Sequence, residues 1–332
     1  LDNLTHSLVG LFLGRIGLRN LTPNGLGVAI LAANAPDFDV ITWFLGRDEW
    51  LRWHRNCTHS LLGMPLMALL TIVIIRIAGR KPIRWWPAFL LASIGVASHI
   101  ILDLTNVYGV RLLLPFSGQW FHWDLTPVLD LTIWAMLLMG VFAPMLARLV
   151  SSEIGARRSS TGAGWAMLAL LALGAYDYSR SVFHERAVNL MASRIWNGLA
   201  ARRAGAFPQA NPLLWTGIVE LSNAYVEIPI DLRDGFHPLD GVTFYKASRG
   251  PSAIAAMGTK AFEVMQQFVQ YPLWIIEPSA DPLPDGTSAT RVVLMDLRFG
   301  SPAAPGFNAT AIVDNRNRVL ETAFAFGGAK PR

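Results

Sequence analysis

The sequence predicts an all-α polytopic membrane helical bundle of about four to six membrane helices, followed by a smaller soluble α+β domain. Three observations predict it. Hydrophobic residues make up 52% of the chain and charged residues only 15%, against roughly 25% charge in a soluble globular protein. Residues 61–75, 85–102, 131–147 and 159–176 contain no Asp, Glu, Lys or Arg. With a few flanking residues each window reaches the ~20 residues that cross ~30 Å of hydrocarbon. After about residue 180 this pattern stops, and from 207 onward short segments alternate polar and apolar residues with period two.

Taken in order, the spacing predicts helices over 4–19, 24–40, 60–79, 86–104, 127–149 and 162–179. The first two uncharged runs are shorter or richer in glycine, so they form a tight hairpin that either spans or inserts only part-way. Basic residues gather in the loops: Arg15 and Arg19; Arg76, Arg80, Lys81 and Arg84; Arg148, Arg157 and Arg158. The positive-inside rule puts these three groups on the cytoplasmic side of a bacterial-type inner membrane. The loops also account for the net charge of +5, so no nucleic-acid partner is expected. Trp43, Trp50, Trp53, Trp85, Trp86, Trp120 and Trp123 fall at helix ends or in short loops, as an aromatic belt requires. The N-terminus shows neither a basic n-region nor a small-residue cleavage site, so no cleavable signal peptide is expected.

The membrane-embedded part is thus 1–179. Residues 180–206, with Arg180, Arg186, Arg194, Arg202 and Arg203, read as an amphipathic connecting helix at the membrane surface. Residues 207–332 read as the α+β domain, with strands at 225–232, 242–248, 273–277, 290–299, 307–313 and 318–326, one helix at 253–269, and Pro/Gly turns at 278–286 and 300–306.

Five of the seven histidines lie in the first 124 residues, in compact polar clusters set in apolar sequence. These are Asp2 with His6, Asp37 with Asp39, His54 with His59, His99 with Asp103, and His122 with Asp124. Carboxylates and imidazoles are costly beside hydrocarbon unless they pair or bind metal. The predicted topology carries all five clusters to the extracytoplasmic face. His99 and Asp103 are four apart on a helix and share one face, so they suit one metal ion or an interhelical hydrogen bond. Asp37 and Asp39 converge only in a turn or at a helix end. Asp2 is a ligand or a helix cap. His122 and Asp124 are two ligands, or a ligand with the carboxylate that orients it. Arg55 either grips an anionic oxygen such as phosphate or pairs with a structural carboxylate. The single Cys57 excludes an internal disulfide and a cysteine-based zinc cluster. Ten His and Asp candidates exceed the needs of one tetrahedral site and fit two or three divalent ions, zinc or else manganese or iron.

Asp-Asn-Leu-Thr-His-Ser-Leu-Val-Gly at 2–10, Pro-Asp-Phe-Asp at 36–39, His-Arg-x-x-Thr-His-Ser at 54–60 and His-x-x-x-Asp at 99–103 together resemble the YdjM-like family of membrane-bound metal-dependent hydrolases. The continuation, with Leu-Trp-Thr-Gly-Ile-Val-Glu at 214–220 and Met-Asp-Leu-Arg-Phe at 295–299, resembles its longer members. More distantly, the ordered ligands are similar to those of zinc-dependent phospholipase C and the zinc single-strand nucleases, which hold three zinc ions in a helical fold and cleave phosphodiesters. That resemblance implies that His6, Asp37, Asp39, His54, His59, His99, Asp103 and His122 are metal ligands or their partners. The further His-x-x-x-Glu pair of that superfamily is missing from this sequence.

The expectation is an integral membrane hydrolase in which a metal-bound hydroxide attacks a phosphoester of a lipid or lipid-linked substrate. Asp39 or Asp124 would serve as general base and Arg55 would hold the anionic group. Membrane lipid is the expected partner; the sequence names no protein partner. The site and the C-terminal domain would lie on the extracytoplasmic face. Two alternatives are a metal-ion or proton transporter and a non-catalytic, metal-stabilised membrane scaffold.

Overall fold

A computed structural model describes residues 1–79, 82–153, 162–196, 198–279 and 288–326. The predicted cationic positions Arg80, Lys81, Arg157 and Arg158, and most of the 278–286 turn, lie outside the described residues. The chain forms two compact units. The first comprises residues 1–40, 55–185 and 208–213; the second comprises 41–54, 186–207 and 214–332.

The helices of the first unit are α1 (Asn3–Arg15), α2 (Gly25–Ala32), α4 (Gly63–Ala78), α5 (Trp85–Thr105), α6 (Leu131–Glu153) and α7 (Ala163–Ala192), the last running on into the second unit. The short helix α3 (Arg47–Trp53) belongs to the second unit. Asp2 caps α1: its carboxylate accepts the Leu4 and Thr5 amides at 3.0 and 3.1 Å. Asp130 caps α6 in the same way, accepting from Thr132 and Ile133 at 2.9 and 3.2 Å.

Two apolar cores hold the helices. Val28, Ala29 and Ala32 of α2 pack with Ala68 and Ile72 of α4 and Leu91, Ala92 and Val96 of α5. Val9 and Phe12 of α1 pack with Ile133 and Leu137 of α6 and Ala166 and Ala169 of α7. Small residues let α2 sit close to its neighbours, as in membrane bundles. A Cβ on Gly10 would stand 2.7 Å from the Ala29 carbonyl oxygen, and one on Gly95 would stand 2.7 Å from Ala32 Cβ. Gly95→Leu is therefore expected to force α5 off α2 and to cost about 1–3 kcal/mol. A lowered thermal midpoint of the detergent-solubilised protein would show it.

Two helices of the described residues, α5 and α6, are long and apolar enough to cross a membrane; there are four candidates if each of two broken pairs, 25–45 and 47–78, counts as one span. The described residues thus offer two to four candidate spans, against the four to six expected from sequence. α1 has 13 residues, or about 20 Å of helix at 1.5 Å per residue, which is too short. α7 carries Asp177, Arg180, Glu185 and Arg186 within its length. Outward-facing Met139, Phe142, Met145, Leu146 and Leu149 give α6 an apolar exposed face.

The separate amphipathic helix expected at 180–206 is not present. α7 continues without a break to Ala192, and strands follow at once: β1 (Ile195–Trp196), β2 (Leu199–Ala200) and β3 (Arg203–Pro208). Gly198, at φ +79°, supplies the left-handed residue that closes the β1–β2 turn.

The second unit is α+β. One four-stranded sheet has the order β3-β4-β5-β6, with β4 (Leu214–Glu220), β5 (Ala224–Asp231) and β6 (Val242–Tyr245). The other has the order β10-β9-β8-β7, with β7 (Pro272–Pro278), β8 (Thr290–Asp296), β9 (Asn308–Val313) and β10 (Val319–Ala325). The predicted strands from 225 onward fall on observed strands within a few residues. The predicted 253–269 helix is two helices, α8 (Pro251–Met257) and α9 (Lys260–Phe268). Gly258 ends the first, and extended Thr259 starts the second. Phe262, Phe268, Tyr271 and Trp215 fill the cores.

Candidate metal centre

Three short stretches of the first unit bring the candidate ligands together. α2 ends at Ala32, and a 3-10 segment, Ala35–Leu45, follows. It carries Asp37 and Asp39, each of which offers a carboxylate oxygen within 4.8 Å of the other. A second 3-10 turn, Cys57–His59, carries His59. α5 carries His99 and Asp103 one turn apart, so both side chains leave the same face. One nitrogen or oxygen each of Asp37, His59, His99 and Asp103 lies within 4.8 Å of all the others, and all four residues are buried.

The hydrogen bonds around this group select one tautomer for each imidazole in its neutral form. His99 Nδ1 lies 2.8 Å from the Ala33 carbonyl oxygen. A carbonyl only accepts, so Nδ1 carries the hydrogen and Nε2 a lone pair. Thr58 Oγ1 donates to Asp39 Oδ2 at 2.9 Å and lies 3.0 Å from His59 Nδ1. Its own hydrogen is spent on the carboxylate, so His59 Nδ1 donates to it and His59 Nε2 also carries a lone pair. The two Nε2 atoms are 3.1 Å apart. Asp37 Oδ1 stands 3.5 Å from each of them, and Asp103 Oδ2 stands 3.3 and 3.4 Å away. With both imidazoles neutral, four acceptors converge with no hydrogen among them. A cation placed between them, or a proton on a ring nitrogen, relieves that repulsion. Asp103 Oδ2 has no hydrogen-bond partner, and neither ring nitrogen of fully buried His6 has one. These orphaned atoms and the nitrogen–oxygen donor set fit a divalent metal such as zinc.

The surrounding residues orient the donors. Asp39 Oδ2 accepts the Arg55 amide at 2.8 Å as well as the Thr58 hydroxyl. Through Thr58, Asp39 thus aims His59, which is the role of an outer carboxylate at a metal site. His6 stacks on His99 with ring centroids 3.8 Å apart, and its Nε2 is 3.4 Å from Asp103 Oδ1. The Arg55 guanidinium meets Asp103 at 3.0 Å, donates to Asn106 Oδ1 at 3.0 Å and covers the Tyr108 ring at 4.9 Å. The Leu1 amine also meets Asp103. Arg55 itself has φ +54°, a left-handed conformation held by its amide bond to Asp39.

Several sequence-predicted ligands lie elsewhere or are otherwise engaged. Asp2 is a cap that also takes the Thr5 hydroxyl at 2.7 Å and the Trp134 indole at 3.0 Å. Both its oxygens are thereby used. His54 stacks on Trp50 at 4.5 Å, and one of its ring nitrogens lies within 4.8 Å of a carboxylate oxygen of Asp37 and of Asp39. His122 and Asp124 bind each other at 2.9 Å. His122 lines a cleft of about 670 Å³ with Ile101, Thr105, Asp177 and His184. Ile101 and Thr105 are two residues from His99 and Asp103, which places them on the opposite face of α5. The structure thus gathers seven of the ten candidates rather than all ten: Asp37, His59, His99 and Asp103 in one group, Asp39 and His54 with Asp37 in a second, and His6 stacked on His99. Sequence reasoning missed Asn106, whose side-chain oxygen also accepts the Tyr108 and Gly109 amides at 2.8 and 3.2 Å. Its helical spacing of three from Asp103 was the available signal.

The uncharacterized protein YfhP of Bacillus subtilis (strain 168) is 28% identical over 142 residues, covering 39% of this chain and 42% of YfhP. The match thus spans less than half the length of that relative. No solved structure matches the chain. The family described as YdjM inner membrane protein matches residues 1–184, which include every residue of the buried cluster. With its apolar α5 and α6 and that match over more than half its length, the chain belongs to the YdjM inner membrane protein family.

Proposed function

We propose that this chain is an integral membrane, metal-dependent hydrolase of phosphoesters, acting on a lipid or lipid-linked substrate. The observation that supports it is the buried convergence of ligand atoms from Asp37, His59, His99 and Asp103. These residues would hold a divalent ion, with His6 as a further donor. When bound, the ion supplies Lewis acidity toward a phosphoryl oxygen. The chain's own residues do the rest. Asp39 holds the Arg55 amide and, through Thr58, the His59 ring. Arg55 is committed to Asp103 through one guanidinium nitrogen, and its Nε has no hydrogen-bond partner. That donor suits the positioning of Asp103 better than the capture of phosphate. Asp39 is likewise better placed to orient His59 than to act as general base. Asp124 stays paired with His122.

A lipid substrate is favoured by the sequence neighbours of the ligands. Phe38, Val40, Leu61 and Leu62 are exposed beside Asp37, Asp39 and His59. The extracytoplasmic placement rests on opposed ends. Arg76 closes α4 and Arg84 precedes α5, whereas His59 precedes α4 and Asp103 lies at the far end of α5. The transporter reading is disfavoured by the same fact, since a transport site sits near mid-membrane.

Purified protein should hydrolyse a chromogenic phosphodiester or a phospholipid, lose that activity to a chelator and regain it with zinc. Flux of zinc into liposomes without hydrolysis would favour the transporter. Chelation that lowers stability with no activity to lose would favour the scaffold.

A further inference from the structure

The division of the chain into units cuts through the centre's own sequence. The backbone leaves the first unit after Val40, joins the second over 41–54 and returns at Arg55. The ends of this excursion are residues of the site. Asp37 and Asp39 lie just before it, and Arg55, Thr58 and His59 lie just after. A hydrogen bond closes its neck, from the Arg55 amide to Asp39 Oδ2 at 2.8 Å. Both neck residues are buried, and Asp39 also takes the Thr58 hydroxyl that orients His59.

The head of the excursion is held by the second unit. α3 packs on α9 and β10. Leu51 of α3 is 1% exposed. Lys260 of α9 reaches Asp48 at 2.9 Å and Glu49 at 2.8 Å. Trp50 lies against Phe326, with ring centroids 5.1 Å apart. A tether whose head is fixed has fewer conformations for its two ends to explore, so the neck is preorganised.

We propose that the C-terminal α+β unit is a positioning module for the metal centre, acting through the 41–54 excursion, with Leu51 and Lys260 as its grip. Leu51 supplies most of the hold, because its side chain is removed from water, whereas Lys260 makes a half-exposed ion pair of small individual effect. The proposal rests on the metal reading only where it concerns metal affinity; the coupling of grip to neck stands apart from it.

The test uses the full-length protein in detergent with zinc as the probe. Leu51→Ala, Lys260→Glu and the charge exchange Lys260→Glu/Asp48→Lys/Glu49→Lys are compared by amide hydrogen exchange and by zinc competition against a chelator. Leu51→Ala is expected to speed exchange of the Arg55 amide and to weaken zinc binding about tenfold, the effect of losing an outer support. Lys260→Glu is expected to move both in the same direction by less, and the charge exchange to restore them. Faster exchange confined to 47–53, with the Arg55 amide and zinc affinity unchanged, would overturn the proposal. If the wild-type protein takes up no zinc, the metal reading fails, and the Arg55 amide still decides whether grip and neck are coupled. If Leu51→Ala fails to fold, the two charge variants, which alter only half-exposed groups, carry the same decision.

Discussion

Replacing Asp103 with Ala is expected to lower stability by about 3–5 kcal/mol, the cost of leaving a buried charge without its partner. Asp103 is fully buried, and Arg55 is only 4% exposed. Their contact at 3.0 Å is the one carboxylate contact of that guanidinium; the Asn106 oxygen and the Tyr108 ring remain but carry no full charge. Denaturant unfolding in detergent should show the loss. The sign is not obvious in advance, because Asp103 also adds to the crowd of acceptors around His59 and His99. The guanidinium decides it, since a desolvated Arg cannot shed its charge, whereas the crowded acceptors can be relieved by a cation. The double variant Asp103→Ala/Arg55→Met should accordingly be more stable than Asp103→Ala alone. Equal or lower stability of the double variant would mean that the pair does not carry the cost assigned to it.

His99→Ala is expected to reduce bound metal more than tenfold while costing far less stability than Asp103→Ala. The side chain supplies one of four converging donors and a hydrogen bond to the Ala33 carbonyl, and its Nε2 also meets His59 Nε2. A neutral hydrogen bond contributes about 1 kcal/mol, to which the small cavity left by the ring adds. Ser98→Ala is the matched control: it sits one residue away, and its hydroxyl bonds only within α5, to Gly95. Metal content of the purified variants by elemental analysis separates the two. His99→Ala with undiminished metal, or Ser98→Ala with equally depleted metal, would remove His99 from the ligand set. Protons compete with metal for imidazole and carboxylate donors, so retention in the wild-type protein should fall as the buffer is made acid.

Much of this was legible in the sequence because it is local. The uncharged windows marked α4, α5 and α6, and period-two alternation marked the strands from 225 onward. The four-residue step from His99 to Asp103 placed both side chains on one helical face. What the sequence obscured is either spacing that cancels or pairing that is long-range. His122 and Asp124 look like two more ligands, yet they bind each other, and the chain after α5 turns His122 toward a cleft on that helix's other face, lined by His184 of α7. Arg55 was open to either a phosphate or a carboxylate, and only the fold shows Asp103, 48 residues on, beside it. Strands β3 and β4 escaped notice because Arg-Ala-Gly-Ala-Phe-Pro at 203–208 has no β-branched residue and because Gly217 interrupts Leu214–Glu220. That glycine is needed: a Cβ there would stand 2.3 Å from Met191 Sδ.

The central claim is that Asp37, His59, His99 and Asp103 enclose a divalent metal ion. An anomalous-scattering map, collected at the zinc edge from crystals of protein purified without chelator, tests it most directly. The account predicts a peak among those four side chains, within ~2.0–2.2 Å of their donor atoms, with His59 and His99 bound through Nε2. A map with no peak there at the zinc, manganese or iron edge, from protein that elemental analysis also finds free of metal, would contradict it.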